Sequence, residues 1–421
     1  MKIVWLPIIF SLVAATGLAQ VAIEQNEAGT RLVVDGRDFM VNGMNWDYFP
    51  IGTTYTYSLW NQPDDFIRKA LDQEMSRLQD IGVNAVRQYT GVPAKWIQYI
   101  YEEYGIYTML NHAFGRYGLT VEGSWVANTD YSDPRVHAIL LEEVRELARE
   151  YRGTPGLLMY LLGNENNYGL FWEGAETEDI PQNSASANER AQSLYRLFNE
   201  GALAIKEIDS GHPVAICNGD LQFLGIIAEE CQDVDIFGTN IYRGISFGDA
   251  FQRVKDELNK PILFTEFGAD AYNAKEKAED QAAQAKYLLA NWREVYAHAA
   301  GMGKTGISLG GFTFQFSDGW WKVGQEYDLD VHDTSASWAN GGYVEDYEEG
   351  QNNMNEEWFG ICAKGPTDAE GFYPLYPRAA YYIVDKVHQF EPYAADASSR
   401  ALKKHFAKIK IKRAVRKAKR K

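Results

Sequence analysis

From residue 31 onward, short apolar runs rich in β-forming residues alternate with stretches whose apolar positions recur at helical spacing. Eight runs read as strands: Phe39–Trp46, Asn84–Tyr89, Tyr107–Phe114, Leu157–Gly163, Pro213–Asn218, Asp235–Tyr242, Pro261–Phe267 and Gly310–Phe316. Most are apolar throughout, the pattern of strands covered on both faces. Between the first two, Phe66, Ile67, Ala70, Leu71, Met75 and Leu78 mark one helix face, with Asp64 and Asp65 at its start and Gly82 beyond its end. Asp133-Pro134 reads as a cap and first helical residue ahead of Val136, Ile139, Leu140, Val144 and Leu147. Pro93 opens another helix through Trp96, Ile97, Ile100 and Tyr104. Strand and helix alternating eight times predict an α/β fold, a (β/α)8 TIM barrel. An open doubly wound sheet would want a Gly-rich phosphate loop after its first strand, and Asn42-Gly43-Met44-Asn45 is not one. Residues Lys322–Phe372 lack a clear period and are acidic and aromatic. They read as a long insertion after strand eight, lying over the C-terminal mouth of the barrel.

The two ends of the chain differ from its body. Lys2 followed by the apolar run Ile3–Ala15 and by Gly17-Leu18-Ala19 has the form of a cleaved signal peptide over residues 1–19. That run is short for a membrane span, and no later stretch reaches about 18 apolar residues, so no transmembrane segment is expected. The expected location is secreted or periplasmic. Residues 20–395 would form the barrel and 396–421 a basic tail. Twelve Lys or Arg and no acid lie in residues 400–421, whereas residues 20–399 hold 28 bases against 58 acids. An acidic body repels phosphate backbones, so a nucleic-acid enzyme is not expected. The tail, with Leu402, Phe406 and Ile409 spaced among its bases, could contact an anionic surface as an amphipathic helix, or stay solvated. Three cysteines, Cys217, Cys231 and Cys362, give neither a disulfide framework nor metal-ligand spacing. The acids of Asp328–Asp333 lack the spacing of a calcium loop and read as solvated. No metal and no cofactor is expected.

Candidate chemistry sits at strand ends. Five Asn-Glu pairs occur, so the dipeptide by itself carries no information. One pair, Asn164-Glu165, follows directly on the fourth strand, and Glu266 ends the seventh. In a closed barrel both side chains project into one mouth. Two such carboxylates suit glycoside hydrolysis, in which one carboxyl protonates the leaving oxygen while an ionised partner attacks the anomeric carbon. Solvated strand-end acids are the competing reading. Arg87 at the second strand could hold a carboxylate ionised. His112 ends the third, and Tyr242 after the sixth offers a phenol. Trp320 and Trp321 after the eighth offer flat faces to a sugar.

In this order the motifs resemble a clan A glycoside hydrolase. The resemblance implies Glu165 as acid/base, Glu266 as nucleophile and Asn164 as contact to the sugar 2-hydroxyl, with Arg87 and Tyr242 supporting the nucleophile. It leaves Asn45, His112, Trp320 and Trp321 as further substrate contacts. Within the clan, Arg31–Trp46 and Gly163–Asn167 are most similar to the barrel domain of glycoside hydrolase family 2. The turn after strand one departs from that family, with Asn45-Trp46-Asp47-Tyr48 in place of an Asn-Arg-His-Glu-like sequence. Asp235–Arg243 and Ile262–Gly268 also look like the family 72 β-1,3-glucanosyltransferases, although that family is cysteine-rich. The implied function is a secreted retaining β-glycosidase acting on a β-linked oligo- or polysaccharide. A transglycosylase, a non-catalytic carbohydrate-binding barrel and a metal-dependent hydrolase are the alternatives. The last is disfavoured because only His112 stands at a strand end.

Overall fold

The computed structural model describes residues 20–89, 91–170, 185–324 and 326–419. The proposed signal segment, residues 1–19, lies outside them. Eight parallel strands close into a barrel: β1 (Val41–Asn45), β2 (Ala85–Gln88), β3 (Tyr107–His112), β4 (Leu157–Leu162), β5 (Val214–Gly219), β6 (Ile236–Asn240), β7 (Ile262–Phe267) and β8 (Ser308–Thr313). Each coincides with one of the eight apolar runs, and β8 pairs back onto β1 through Gly310–Val41 to Thr313–Met44. Every residue of β4, β5 and β7 is buried, because the barrel interior takes one set of side chains and the helices cover the other. A fully buried Leu or Phe contributes about 1.5–3 kcal/mol, and Leu158, Leu161, Leu263, Leu309 and Phe312 fill the interior in this way.

The helices follow the sequence punctuation. α1 (Asp64–Asp80) buries Ile67, Ala70, Leu71, Met75 and Leu78, and Gly82 takes a positive φ of 72° just past its end. α2 (Ala94–Tyr104) starts after Pro93. α3 (Pro134–Tyr151) is capped by the Asp133 carboxylate, which accepts from the Arg135 amide. α4 (Ala185–Ile208), α5 (Leu224–Glu230), α6 (Ala250–Arg253, continued by a π-turn), α7 (Gln281–Ala297) and α8 (Ala379–Val387) complete the outer layer.

Of three further features, the N-terminal sheet was not read from the sequence, the insertion over the mouth was expected, and the form of the tail was left open. Residues Val21–Asn26, Gly29–Val34 and Arg37–Phe39 form an antiparallel sheet below the N-terminal end of the barrel. Its Thr30 amide donates to Gly306 O and its Val21 amide to Gly211 O, both on turns entering barrel strands. The signal was present in Asp35-Gly36, a two-residue hairpin turn between apolar runs. The insertion after β8 packs onto the mouth: Tyr343 donates to Gly268 O at 2.6 Å and Asn340 to Tyr242 O at 2.8 Å. The basic tail forms two short helices, α9 (Ser399–Phe406) and α10 (Ile411–Ala418), which lie on α7 and α8 with Leu402, Phe406 and Ala414 buried. Among the described residues no helix is long and apolar enough to cross a membrane.

Candidate active site

Strand alternation decides which side chains reach the mouth. On β2 Arg87 turns inward, and Tyr89, two residues on, shares its side. Both meet Glu266 on β7: Arg87 Nη1 lies 2.6 Å and the Tyr89 hydroxyl 2.8 Å from Oε1. The Tyr242 hydroxyl, just past β6, donates to the other oxygen at 2.9 Å. Arg87 is fully buried and Glu266 only 7% exposed, so their ion pair is desolvated. Such a pair is costly to break, about 3–5 kcal/mol, because the surviving charge is stranded. Burial pushes the Tyr89 and Tyr242 phenols well above their ordinary value, and the Glu266 charge adds to this, so both remain donors. Burial works to lower the Arg87 pKa, but its value is raised and the guanidinium stays protonated beside the Glu266 carboxylate.

Glu165 is held differently. It follows β4 in the left-handed region, φ 58°, where a glutamate is uncommon. Its amide donates to Cys217 O, which fixes the turn. Its carboxylate accepts from Asn240 Nδ2 at 2.8 Å. Asn240 is itself oriented by Thr265, whose hydroxyl donates to Asn240 Oδ1 at 2.7 Å. The register of β6 against β7 slips between Thr239 and Asn240, so Asn240 stands opposite Glu266. A bulge of this kind re-aims side chains at a strand end. Asn164 joins the two halves: its Oδ1 accepts from Arg87 Nη2 at 2.8 Å and from Asn240 Nδ2 at 3.2 Å. Glu165 and Glu266 therefore share one mouth, linked by a continuous chain of hydrogen bonds through Asn240, Asn164 and Arg87.

The remaining sequence candidates are placed elsewhere. His112 turns away from the mouth: its Nε2 lies 3.4 Å from Glu143 on α3 and its Nδ1 accepts from the Phe114 amide. The inward residue of β3 is its neighbour Asn111, whose Oδ1 accepts from Arg87 Nη2 at 2.7 Å and Nε at 3.1 Å. Asn45 ties β1 to β8 and β7, donating to Phe312 O at 3.4 Å and to Thr265 O at 3.0 Å, and is 1% exposed. Trp320 stacks on His332, ring centroids 4.4 Å apart, and His332 stacks on Trp358. Trp321 packs beside Phe49 and Tyr55. The strand-eight aromatic nearest the Glu266 phenols is Phe314, edge-on to Tyr242 at 6.3 Å, and Phe359 and Trp338 of the insertion complete that wall. Tyr89, Asn111 and Asn240 were missed. For Tyr89 strand alternation was the available signal, since it stands two residues beyond Arg87.

All three cysteines are free and buried. Cys217 lies under the site, 3.3 Å from both Asn240 Oδ1 and Thr265 Oγ1, and burial raises its pKa to about 11, which keeps it a thiol. Among the described residues no group of three or more His, Cys, Asp or Glu is placed to hold a metal.

Comparison with known proteins agrees with this architecture. Residues 64–300 match the family described as glycosyl hydrolases family 2, TIM barrel domain. A β-galactosidase of Lactococcus lactis is 24% identical over 154 residues, which are 36% of this chain and 14% of that protein. Among solved structures, a GH2 β-galacturonidase from Eisenbergiella tayi bound to galacturonate superposes with a TM-score of 0.53 at 17% identity, over 89% of this chain and 54% of its own. A β-glucuronidase of Parabacteroides merdae gives 0.53 at 14% identity, over 88% and 40%. The chain thus spans little more than half of these relatives' lengths, or less. The likeness of Asp235–Arg243 and Ile262–Gly268 to family 72 finds no support in these matches. Those runs contain β6 and β7, with Tyr242 just past the one and Glu266 in the other.

Proposed function

Because this chain belongs to glycoside hydrolase family 2 through its TIM barrel domain, we propose that it is a retaining β-glycosidase with Glu266 as nucleophile and Glu165 as acid/base. The observation that carries the reading is the unlike treatment of two carboxylates in one mouth. Arg87, Tyr89 and Tyr242 donate to both oxygens of Glu266 and hold its carboxylate in place as an attacking group. Glu165 accepts from the neutral side-chain amide of Asn240, and its assigned work is to give and take a proton. In the first step Glu266 forms a bond to the anomeric carbon as the glycosidic C–O bond breaks, and Glu165 protonates the departing oxygen. In the second, Glu165 takes a proton from water as that water displaces Glu266. Asn164 stands beside both groups, suitably placed for the sugar 2-hydroxyl.

The test is turnover of 4-nitrophenyl β-D-galactoside, β-D-glucuronide and β-D-galacturonide by wild type, Glu266→Gln and Glu165→Gln. Each variant should lose most activity, and azide should restore turnover to Glu165→Ala through a β-glycosyl azide. Near-normal turnover by either Gln variant removes that residue's role. We propose further that residues 1–19 direct export, on the strength of Lys2, the apolar run and Gly17-Leu18-Ala19. N-terminal sequencing of exported protein should then begin at Gln20, and a product retaining Met1 would contradict it.

A further inference from the structure

The segment between β3 and α3 carries two of the most exposed large aromatics of the molecule, Tyr117 at 49% and Trp125 at 65%. Single exposed aromatics need no explanation, but two on one segment tied to a site do. Tyr117 is tied to the site itself, its hydroxyl accepting from Asn164 Nδ2 at 2.8 Å. The Arg116 guanidinium lies 5.5 Å from its ring centroid and covers one face. Trp125 sits on a hairpin formed by Leu119–Val121 and Ser124–Val126. Its indole rests on Gly118, where a Cβ would come within 2.7 Å of the ring and the φ is 94°. Gly118, the residue after Tyr117, therefore leaves room for the indole.

This segment is not a loose loop. Asn166, next to Glu165, donates to Phe114 O at 3.0 Å and to the Tyr131 hydroxyl at 2.7 Å. Tyr131 in turn donates to Phe114 O, and Thr129 to Gly115 O. The two asparagines flanking Glu165 thus fasten the aromatic pair to the turn that presents the acid. Preorganised rings lose little entropy on binding, and their apolar faces suit the C–H surface of a pyranose.

We propose that Tyr117 and Trp125 form a stacking ledge for a sugar unit next to the one whose bond is cleaved, so that the substrate is a β-linked chain rather than a short glycoside. This rests on the glycosidase reading but is tested apart from it. In native gels containing β-1,4-galactan, β-1,3-glucan or β-1,4-xylan, wild type should be retarded by at least one polysaccharide. Trp125→Ala and Tyr117→Ala should migrate as in a gel without it, whereas Tyr117→Phe, which keeps the ring and loses only the hydroxyl, should still be retarded. Thermal melting confirms that each variant is folded. On a retarding sugar's oligosaccharides, kcat/KM relative to that on the aryl glycoside should fall about tenfold in Trp125→Ala, through KM. Wild type unretarded by all three polysaccharides, or Trp125→Ala retarded like wild type, overturns the ledge. Trp125-dependent retardation without turnover of any glycoside would keep the ledge and sink the catalytic reading instead.

Discussion

The β7 and β4 sides of the mouth hold the same functional group in opposite ways. Glu266 is encircled by a guanidinium and two phenols that donate to its two oxygens. Glu165 stands on a left-handed turn and meets one amide, from Asn240. The donors around Glu266 include a buried guanidinium, whereas the Asn240 donor to Glu165 is a neutral amide. The contrast shows how a barrel assigns different work to two identical side chains: by which strands supply the neighbours. β2 brings charge to β7, and β6 brings a phenol to β7 but an amide to β4.

Breaking the contrast at its strongest point should have the largest effect. Glu266→Gln should cost roughly 10⁴-fold in kcat on every aryl glycoside, whatever its leaving group. Glu165→Gln should cost about 10²–10⁴-fold on poor leaving groups but far less for the first step with a dinitrophenyl leaving group, which needs no proton. Equal sensitivity of the two variants to leaving-group pKa, measured by stopped-flow kinetics, would erase the distinction. Next, Arg87→Met strands Glu266, removes the guanidinium that donates to Asn111 Oδ1 and leaves Asn164 with the Asn240 amide. Chemical denaturation should report a loss of about 3–5 kcal/mol, alongside the loss of turnover. A smaller step is Tyr242→Phe, which deletes one donor to a charged acceptor. It should lower kcat/KM about 10- to 100-fold while melting changes little, and an unchanged kcat/KM would remove the phenol from the account. The smallest expected effect is on the outer side of the barrel wall. His112→Gln, whose ring meets the half-exposed Glu143, should shift stability by less than about 1 kcal/mol and leave kinetics alone. A large kinetic effect there would mean that β3 contributes through His112 after all.

His112 and Asn111 show where reading the chain succeeds and where it stops. The strand itself is legible because a run buried on both faces is apolar along its whole length. Which of two adjacent polar residues faces inward depends on a one-residue register that apolar residues do not record. The same limit explains Trp320 and Trp321. Their position after β8 is plain in the sequence, but His332 of the insertion stacks on Trp320, and Phe49 and Tyr55, from far back in the chain, pack on Trp321. Arg87, Tyr242 and the two glutamates were legible because each is a polar residue ending an otherwise apolar run, and the barrel gathers all such ends at one rim. Asn240 was not, since its contact with Glu165 depends on a bulge between β6 and β7.

The order of strands and helices, the two strand-end glutamates and the acidic body with its basic tail were determined by local pattern alone. Apolar periodicity and turn residues act within a few positions of one another. The partners of each glutamate, the outward turn of His112, the docking of the tail on α7 and α8 and the tethering of Tyr117 and Trp125 to the Glu165 turn were decided by tertiary structure. Each joins residues that are distant in the chain, through hydrogen bonds and packing whose geometry exists only once the barrel has closed.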